Sequence, residues 1–339
     1  MNLVSKGGII CLNCVIQSKK MEVFNIKNNK VEVVELNPFK LEKDIQEVIE
    51  KNTESFFGLE FVRSEFPIGE FRIDTLCFDN ETNSFVLIEY KKGSSYSVID
   101  QGYSYLSLML NNKSEFIIEY NERLNKTLKR DDVDWTQSRI LFISQSFSSY
   151  QRNSVNFKNL PFELWEIKRF NNDTIVLNKH NSTSKESIDT ISNVESSTLI
   201  ESVSKEIQVV DEEFHTNKLD SETLEKWNDF KERILKVDNV SIRVIKPYIS
   251  FLGETKMICY VKFRKSHVTI GMGRGNINPD GTKSKNYFDI DDPKGITEEG
   301  SWEWKSGVKG NVYRVRFDKD TDLDYLMFLI NQKVKNLKY

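Results

Sequence analysis

A nearly unbroken apolar run in the first half of the chain constrains the fold more than any other feature. Residues 85–91 read FVLIEYK, and the first four are all apolar. A strand with one face in water alternates apolar and polar residues, whereas a continuous run of this length is typical of a strand buried on both faces. Other elements must therefore cover both sides of its sheet, which predicts an α/β architecture.

The segments around this run alternate between helical and strand-like patterns. Residues 41–51 and 98–110 carry apolar side chains at helical spacing, and residues 148–157 form a shorter candidate helix. Four further segments have strand-like composition: 59–66, 71–78, 139–143 and 163–170. Their order predicts a mixed sheet flanked by helices.

The chain of 339 residues is long enough for two domains. Residues 181–220 hold 3 Lys/Arg and 9 Asp/Glu and are rich in Ser and Thr, which predicts an acidic linker with a helical part around 199–210. We expect an N-terminal extension (1–29), an α/β domain (30–180), a linker (181–221) and a smaller C-terminal α+β domain (222–339). The first 20 residues, with Cys11 and Cys14, are expected to be dispensable.

The C-terminal block combines two helical patterns, at 223–237 and 321–334, with strand-like runs at 242–251, 257–264, 267–272, 302–305 and 312–317. The Gly-rich segment 271–275 lacks the Gly-Lys-Ser/Thr ending of a phosphate loop and predicts a turn leaving a strand. From Ser221 onward the chain holds 22 Lys/Arg against 17 Asp/Glu. This excess permits contact with phosphates and fits a solvated basic face equally well.

Composition excludes some classes of protein. No stretch approaches the roughly 20 apolar residues of a membrane-spanning helix, so no membrane role is expected. Four cysteines in a chain of this length do not form a disulfide scaffold, which favours a reducing, cytoplasmic location. The net charge of −3 excludes a uniformly basic coat for nucleic acid but not local basic patches.

The chemistry is expected where two strands carry acidic residues. Asp74 lies within one strand, and Glu89 and Lys91 end the next. A buried carboxylate needs a compensating partner, and a divalent cation is one. If a hairpin joins the strands, the two acids converge, and with a backbone carbonyl and waters they suit Mg²⁺. Lys91 shares the strand face of Glu89, so it can orient the attacking water and offset phosphate charge.

Two further observations bear on this interpretation. The pattern Glu-x-Lys occurs four times in the chain, but only Glu89 follows an apolar run. On the next helix, Gln101 and Tyr105 are spaced i, i+4 and share a face. Together they could reach a phosphate or a bound water, although for this pair alone a half-exposed helix with an aromatic packing residue is the favoured interpretation.

Asp74, Glu89-x-Lys91 and Gln101-x-x-x-Tyr105, preceded by Glu42 on a helix, resemble the PD-(D/E)XK nuclease superfamily with its restriction-endonuclease-like fold. Residues 30–180 look closest to its archaeal NucS-like and RecB-like branches, although Ile73 stands where many members have proline. The resemblance implies Mg²⁺-dependent phosphodiester hydrolysis, with Mn²⁺ able to substitute. It also implies Asp74, Glu89 and the Tyr90 carbonyl as metal ligands. Lys91 would be the water-positioning base or electrostatic stabiliser, and Glu42 would support a metal.

The C-terminal half (222–339) resembles a domain of unknown function, DUF5655, and brings no known catalytic residues.

These observations predict a metal-dependent nuclease that acts on nucleic acid, on DNA rather than RNA. A homodimer would suit the cutting of both strands. The C-terminal domain would bind substrate or a partner. Two alternatives stay open. Asp74 and Glu89 could pair with basic neighbours such as Arg72 and Lys92 in an ordinary sheet. A protein of the same fold could also bind nucleic acid, or act as an adaptor, without cutting.

Overall fold

The structure is a computed structural model that describes residues 22–91, 97–157, 160–182, 184, 197–253, 256–264, 267–285, 287–303 and 308–338. The first 20 residues, with Cys11 and Cys14, lie outside this part, as does Lys92. In the part described, no helix has both the length and the apolar composition needed to span a membrane.

The N-terminal half consists of a small hairpin, a six-stranded sheet and the helices on its two faces. The strands are β1 (Val23–Lys27), β2 (Lys30–Val34), β3 (Glu60–Ile68), β4 (Phe71–Asp79), β5 (Ser84–Lys91), β6 (Arg139–Ser144), β7 (Phe162–Arg169) and β8 (Ile175–His180). The helices are α1 (Glu42–Glu50), α2 (Thr53–Phe57), α3 (Val98–Asn111), α4 (Lys113–Leu124) and α5 (Ser149–Ser154).

The large sheet is mixed, as the sequence predicts. Its strand order is β3-β4-β5-β6-β7-β8. The central pairs β5–β6 and β6–β7 are parallel, and the outer pairs are antiparallel. A chain that runs parallel between neighbouring strands must cross over the sheet, and α3 and α4 lie in the connection between β5 and β6.

Strand β5 is buried on both faces, which confirms the interpretation of the apolar run. Phe85 and Leu87 belong to a core that also contains residues of α3 and α4. Val86 and Ile88 belong to a second core, on the other face, with residues of α1. Because side chains alternate along a strand, every second residue of β5 points to the α3 side, and Glu89 follows Leu87 in that series.

The C-terminal half is a six-stranded antiparallel sheet with helices on one face. Its strands are β9 (Ser241–Ile245), β10 (Tyr248–Leu252), β11 (Met257–Phe263), β12 (Val268–Ile277), β13 (Thr297–Glu303) and β14 (Lys309–Phe317), in the order β13-β14-β12-β11-β10-β9. Helices α8 (Ser221–Leu235) and α9 (Leu323–Lys338) pack on it through apolar side chains that include Trp227, Phe230, Leu326 and Ile330. The expected hairpin is β13–β14.

Two expectations for this half are wrong. Residues 242–251 are not one strand: β9 and β10 are separate and pair antiparallel, because Lys246 and Pro247 form a tight turn between them. The Gly-rich segment is not a turn either. It lies inside β12, with a register shift between Gly273 and Gly275.

The acidic segment also contains more structure than its composition suggests. Its second part forms α6 (Ser197–Glu206), in the region expected to be helical, and α7 (Glu212–Thr216). Val203 and Ile207 are buried in the core on the α3 side. Together with Leu199 they recur at i, i+4 spacing. This part of the chain therefore carries a narrow apolar stripe although most of its residues are polar. The domain limits themselves remain predictions.

Candidate active site

The candidate site lies where β4 and β5 separate. Their antiparallel pairing runs from Asp79↔Ser84 to Thr75↔Ile88. Beyond that pair, the start of β4 continues to pair with β3, and the end of β5 continues to pair with β6. Asp74 and Glu89 are the next residues on the two strands. The Oδ2 atom of Asp74 accepts a hydrogen bond of 3.0 Å from the backbone N–H of Tyr90 and so joins the strands at this point.

Glu89 is buried beneath helix α3 and receives two hydrogen bonds on one carboxylate oxygen. Its Oε1 accepts from Lys91 Nζ at 3.0 Å and from Gln101 Nε2 at 2.8 Å. The Gln101 amide also lies 3.3 Å from the Tyr105 hydroxyl, which donates to the carbonyl of Arg72 at 3.2 Å. The structure therefore brings together Glu89, Lys91, Gln101 and Tyr105, and connects this group back to β4.

The other carboxylate oxygen of Glu89 is different. Glu89 Oε2 is buried and has no hydrogen-bond partner among the described residues. A buried oxygen of this kind carries the cost of lost hydration without compensation. A partner that arrives from solution would remove that cost.

The two acidic side chains at the site disfavour each other's ionisation. Burial raises the pKa of Glu89 to about 7, and the negative charge of Asp74 adds to this, against the opposing effects of Lys91 and Gln101. Burial likewise raises the pKa of Asp74 and outweighs the N–H of Tyr90, and the charge of Glu65 acts in the same direction. Two carboxylates that are both hard to ionise, and that repel each other, form a site in which a cation is strongly favoured.

The residues present fit a hard divalent cation. Both side chains offer carboxylate oxygens, the ligand type that Mg²⁺ prefers, and one oxygen of Glu89 is buried without a partner among the residues described. Among the described residues no group of three or more His, Cys, Asp or Glu side chains is arranged to hold a metal ion. A cation between Asp74 and Glu89 would therefore take its remaining ligands from the backbone and from water, as Mg²⁺ commonly does.

Glu42 and Tyr90 were also predicted as site residues, but among the described residues their side chains make no hydrogen bond or ion pair with the carboxylates of Asp74 and Glu89. Glu42 begins α1 and is exposed, and its charge is among those that raise the pKa of Asp74, which places it near the site. The phenol of Tyr90 points to the α1 side, where it lies 3.1 Å from the Thr75 hydroxyl. Its N–H serves Asp74, and the expected role of its carbonyl stays a prediction.

Sequence reasoning missed two residues near Asp74: Gln46 supports its backbone, and the charge of Glu65 opposes its ionisation. Gln46 is buried on α1, and its amide donates to the Asp74 carbonyl at 3.0 Å and to Ser64 Oγ at 3.2 Å. A polar residue beside the apolar stripe of α1 was the available signal. Glu65 adopts a left-handed backbone with φ of 52° in the middle of β3, a conformation that costs energy for a residue with a side chain. No sequence signal marks it.

The alternative of an ordinary charge-paired sheet finds little support at Asp74. The Arg72 guanidinium binds Glu65, with 2.7 Å between Nε and Oε2, and makes no ion pair with Asp74. Within the described ranges Glu89 forms an ion pair with Lys91. The structure thus defines an α/β protein with two acids and a lysine at a break between two strands.

The chain belongs to the same family as an uncharacterized protein of Haemophilus influenzae. The two are 40% identical over 319 residues, which cover 93% of this chain and 100% of that protein. No protein-family model matches the chain, so the resemblance of its C-terminal half to DUF5655 stays a prediction.

Three solved structures align with part of the chain. A repair endonuclease from Pyrococcus abyssi is 15% identical, with a TM-score of 0.20, and the alignment covers 39% of this chain and 59% of that one. An EndoMS–double-stranded DNA complex is 16% identical (TM-score 0.20, 44% and 71%). Pyrococcus furiosus SfsA in complex with Ca²⁺ is 13% identical (TM-score 0.22, 46% and 74%). The fold described above stands on the strand order and register of this chain itself.

Proposed function

We propose that this protein is a Mg²⁺-dependent nuclease that hydrolyses phosphodiester bonds in DNA. The observation that carries the proposal is the pair Asp74 and Glu89 at the point where β4 and β5 separate. Glu89 Oε2 is buried with no hydrogen-bond partner among the described residues, and Lys91 lies 3.0 Å from the other oxygen.

In this proposal Asp74, Glu89 and the Tyr90 carbonyl hold Mg²⁺ or Mn²⁺, and Glu42 supports it. When bound, the ion supplies positive charge that stabilises the developing charge on the phosphate. Lys91 holds a second positive charge beside the same phosphate and positions the attacking water. Water adds to phosphorus, the bond to the leaving sugar oxygen breaks, and a proton from water ends on that oxygen.

Gln101 and Tyr105 act as positioning residues. The Gln101 amide fixes Glu89 Oε1, and Tyr105 fixes Gln101 while its hydroxyl is anchored on the Arg72 carbonyl. This chain of contacts leaves Oε2 as the oxygen that faces a ligand. The homodimer and the preference for DNA over RNA remain parts of the proposal.

The test is incubation of the purified full chain with plasmid and single-stranded DNA, with Mg²⁺ or Mn²⁺. We expect cleavage that EDTA stops and that Lys91→Ala reduces at least 100-fold, a typical effect of removing one electrostatic contact to a transition state. Lys27→Ala, a change at an exposed lysine of β1, is the control and should cleave like the wild type. Equal cleavage by Lys91→Ala would show that the site is elsewhere. Salt-sensitive DNA binding with no cleavage in either metal would favour a non-catalytic binding protein.

A further inference from the structure

One face of the C-terminal sheet presents cationic and aromatic side chains instead of an apolar core. Tyr313 and Val315 point into the core beneath α8 and α9, so Arg314, between them, points to the opposite face. Cross-strand register places Tyr260 of β11 on that same face, through Gly271 of β12. We call the surface formed by Tyr260, Lys262, Arg314 and Trp302 the platform.

Glycines in neighbouring strands allow three of these side chains to lie against the backbone. A Cβ atom on Gly271 would come within 2.2 Å of the Tyr260 ring, and one on Gly310 within 2.2 Å of the Trp302 ring. A Cβ atom on Gly300 would come within 2.7 Å of the Arg314 guanidinium. Any side chain at these positions would displace these groups, so the glycines let the flat groups lie against the sheet. Within the Gly-rich segment of β12, this use explains Gly271.

The platform carries positive charge with little compensation. Lys262 Nζ lies 5.2 Å from the centre of the Tyr260 ring. Burial, together with the charges of Arg264 and Arg314, lowers the pKa of Lys262, which shows that the three cations share one neighbourhood. Glu298 lies opposite Arg314 in register. Even so, none of the three cations forms an ion pair with an acid in the described part of the chain.

The platform also abuts the hairpin that carries the candidate active site. The Tyr248 ring packs 5.4 Å from the Tyr260 ring, centre to centre, and its hydroxyl donates to the carboxylate of Glu81 in the turn between β4 and β5. Lys262 Nζ lies 5.9 Å from the same Tyr248 ring. The aromatic surface thus runs from the C-terminal sheet to one end of that hairpin.

From these contacts we infer that the platform binds single-stranded DNA, with unpaired bases stacked on Tyr260 and Trp302 and phosphates held by Lys262, Arg314 and the neighbouring Arg264. Aromatic rings beside cations are the combination that single strands recognise, since every base offers a flat face. A duplex keeps its base faces stacked inside and offers only edges and phosphates. The choice of DNA rests on the proposed function; binding by the platform does not require cleavage.

The experiment measures fluorescence anisotropy of labelled oligo-dT and of a matched duplex with the full chain in EDTA, where cleavage is excluded. We expect tighter binding of oligo-dT, which Tyr260→Leu weakens at least fivefold and Tyr260→Phe preserves, because stacking needs the ring and not the hydroxyl. Arg314→Gln should weaken binding and reduce its salt dependence. Lys236→Ala, at an exposed lysine directly after α8 that pairs with Glu232, is the matched control and should change nothing.

Several results would overturn the inference. These are equal affinity for duplex and single strand, tighter binding of oligo-U RNA than of oligo-dT, or unchanged binding by both Tyr260→Leu and Arg314→Gln. Thermal melting of each variant identifies any that fails to fold, and Arg314→Gln, at an exposed side chain, keeps the test valid if Tyr260→Leu unfolds. Loss of platform binding with intact cleavage, or the reverse, separates this inference from the proposed nuclease activity.

Discussion

At the scale of single residues, the buried carboxylate of Glu89 should lower the stability of the metal-free protein. Its carboxylate is buried and lies near a second acid, and one of its oxygens has no hydrogen-bond partner in the part of the chain that the structure describes. A protein retains such a destabilising buried group where a bound ligand compensates for its burial. Strongly shifted pKa values cluster at functional sites for this reason. The same residue should therefore weaken the metal-free fold and create the affinity for a cation.

This leads to a prediction for Glu89→Gln. The amide keeps an acceptor for Lys91 and Gln101 but removes the negative charge beside Asp74. At pH 8 in EDTA we expect the variant to unfold with a free energy about 1–3 kcal/mol higher than the wild type, measured by urea denaturation. A variant less stable than the wild type would mean that the carboxylate is satisfied in the native state. Glu47→Gln, an exposed change on α1, should have almost no effect.

At the scale of elements, helix α1 holds the strand that carries Asp74. Gln46 reaches from α1 to the backbone of β4 and the side chain of β3, and it also donates to Glu50 at 2.8 Å. The helix thus fixes the carbonyl of Asp74 from behind while the N–H of Tyr90 fixes its carboxylate. The position of this acid depends on contacts from both neighbouring elements.

A second prediction follows for Gln46→Leu. The leucine side chain is of similar size but leaves the carbonyl of Asp74 without its donor, so the free energy of unfolding should fall by about 1–3 kcal/mol. If the nuclease proposal holds, cleavage should fall as well, even though Gln46 does not touch the site of a cation. Chemical denaturation and the plasmid assay together check this. Unchanged stability would show that the buried amide contributes nothing net.

The elements that sequence predicted well are those whose pattern is local. The two-face burial of β5, the hairpin β4–β5 and helix α3 follow from apolar runs, polar turns and helical spacing. The β9–β10 break was missed because the apolar residues on either side of Lys246 and Pro247 were taken as one run, although a proline inside a strand-like run is itself a turn signal. Strand β12 was misjudged because glycine usually ends strands, whereas here it makes room for side chains from neighbours.

Some residues of the candidate site could likewise be predicted from the sequence, and others could not. Asp74, Glu89 and Lys91 were recognisable because charged residues in or next to apolar strands cost free energy to bury, and such residues stand out in the sequence. The support from Gln46 was not, because its partner is a backbone carbonyl 28 residues away. Glu65 could not be found either, since a left-handed backbone at a non-glycine residue is imposed by tertiary contacts.

At the scale of the whole molecule, charged contacts join the two sheets. The Asp79 carboxylate, at the end of β4, is buried and accepts hydrogen bonds of 2.9 Å from both Arg139 of β6 and Arg243 of β9. Nearby, Lys246 Nζ donates to Asp134 Oδ2 at 3.0 Å. Asp79 therefore belongs to the hairpin of the candidate site and to the contact between the halves.

The third prediction concerns pH. Burial opposes ionisation of Asp79, but the two guanidinium groups outweigh it and hold its pKa below the ordinary value. The folded state then binds fewer protons, so this contribution to stability is complete above the unfolded pKa of about 3.9 and is lost as the pH falls through the lower folded value. Asp79→Asn should lower the free energy of unfolding at pH 7 by roughly 3 kcal/mol.

The same variant should also show a flatter pH profile below about pH 4, because the titrating group is gone. Denaturation measured across that range checks both effects. Glu232→Gln, which breaks an exposed ion pair on α8, should change stability by less than about 1 kcal/mol. A wild-type pH profile in Asp79→Asn would contradict the role given to this contact.

Binding of a hard divalent cation by Asp74 and Glu89 together underlies the proposed chemistry, and isothermal titration calorimetry with Mn²⁺ measures it directly. We expect measurable binding to the wild type, lost in Asp74→Asn and in Glu89→Gln while both variants remain folded. Binding that is absent from the wild type, or that is equal in all three proteins, would contradict it.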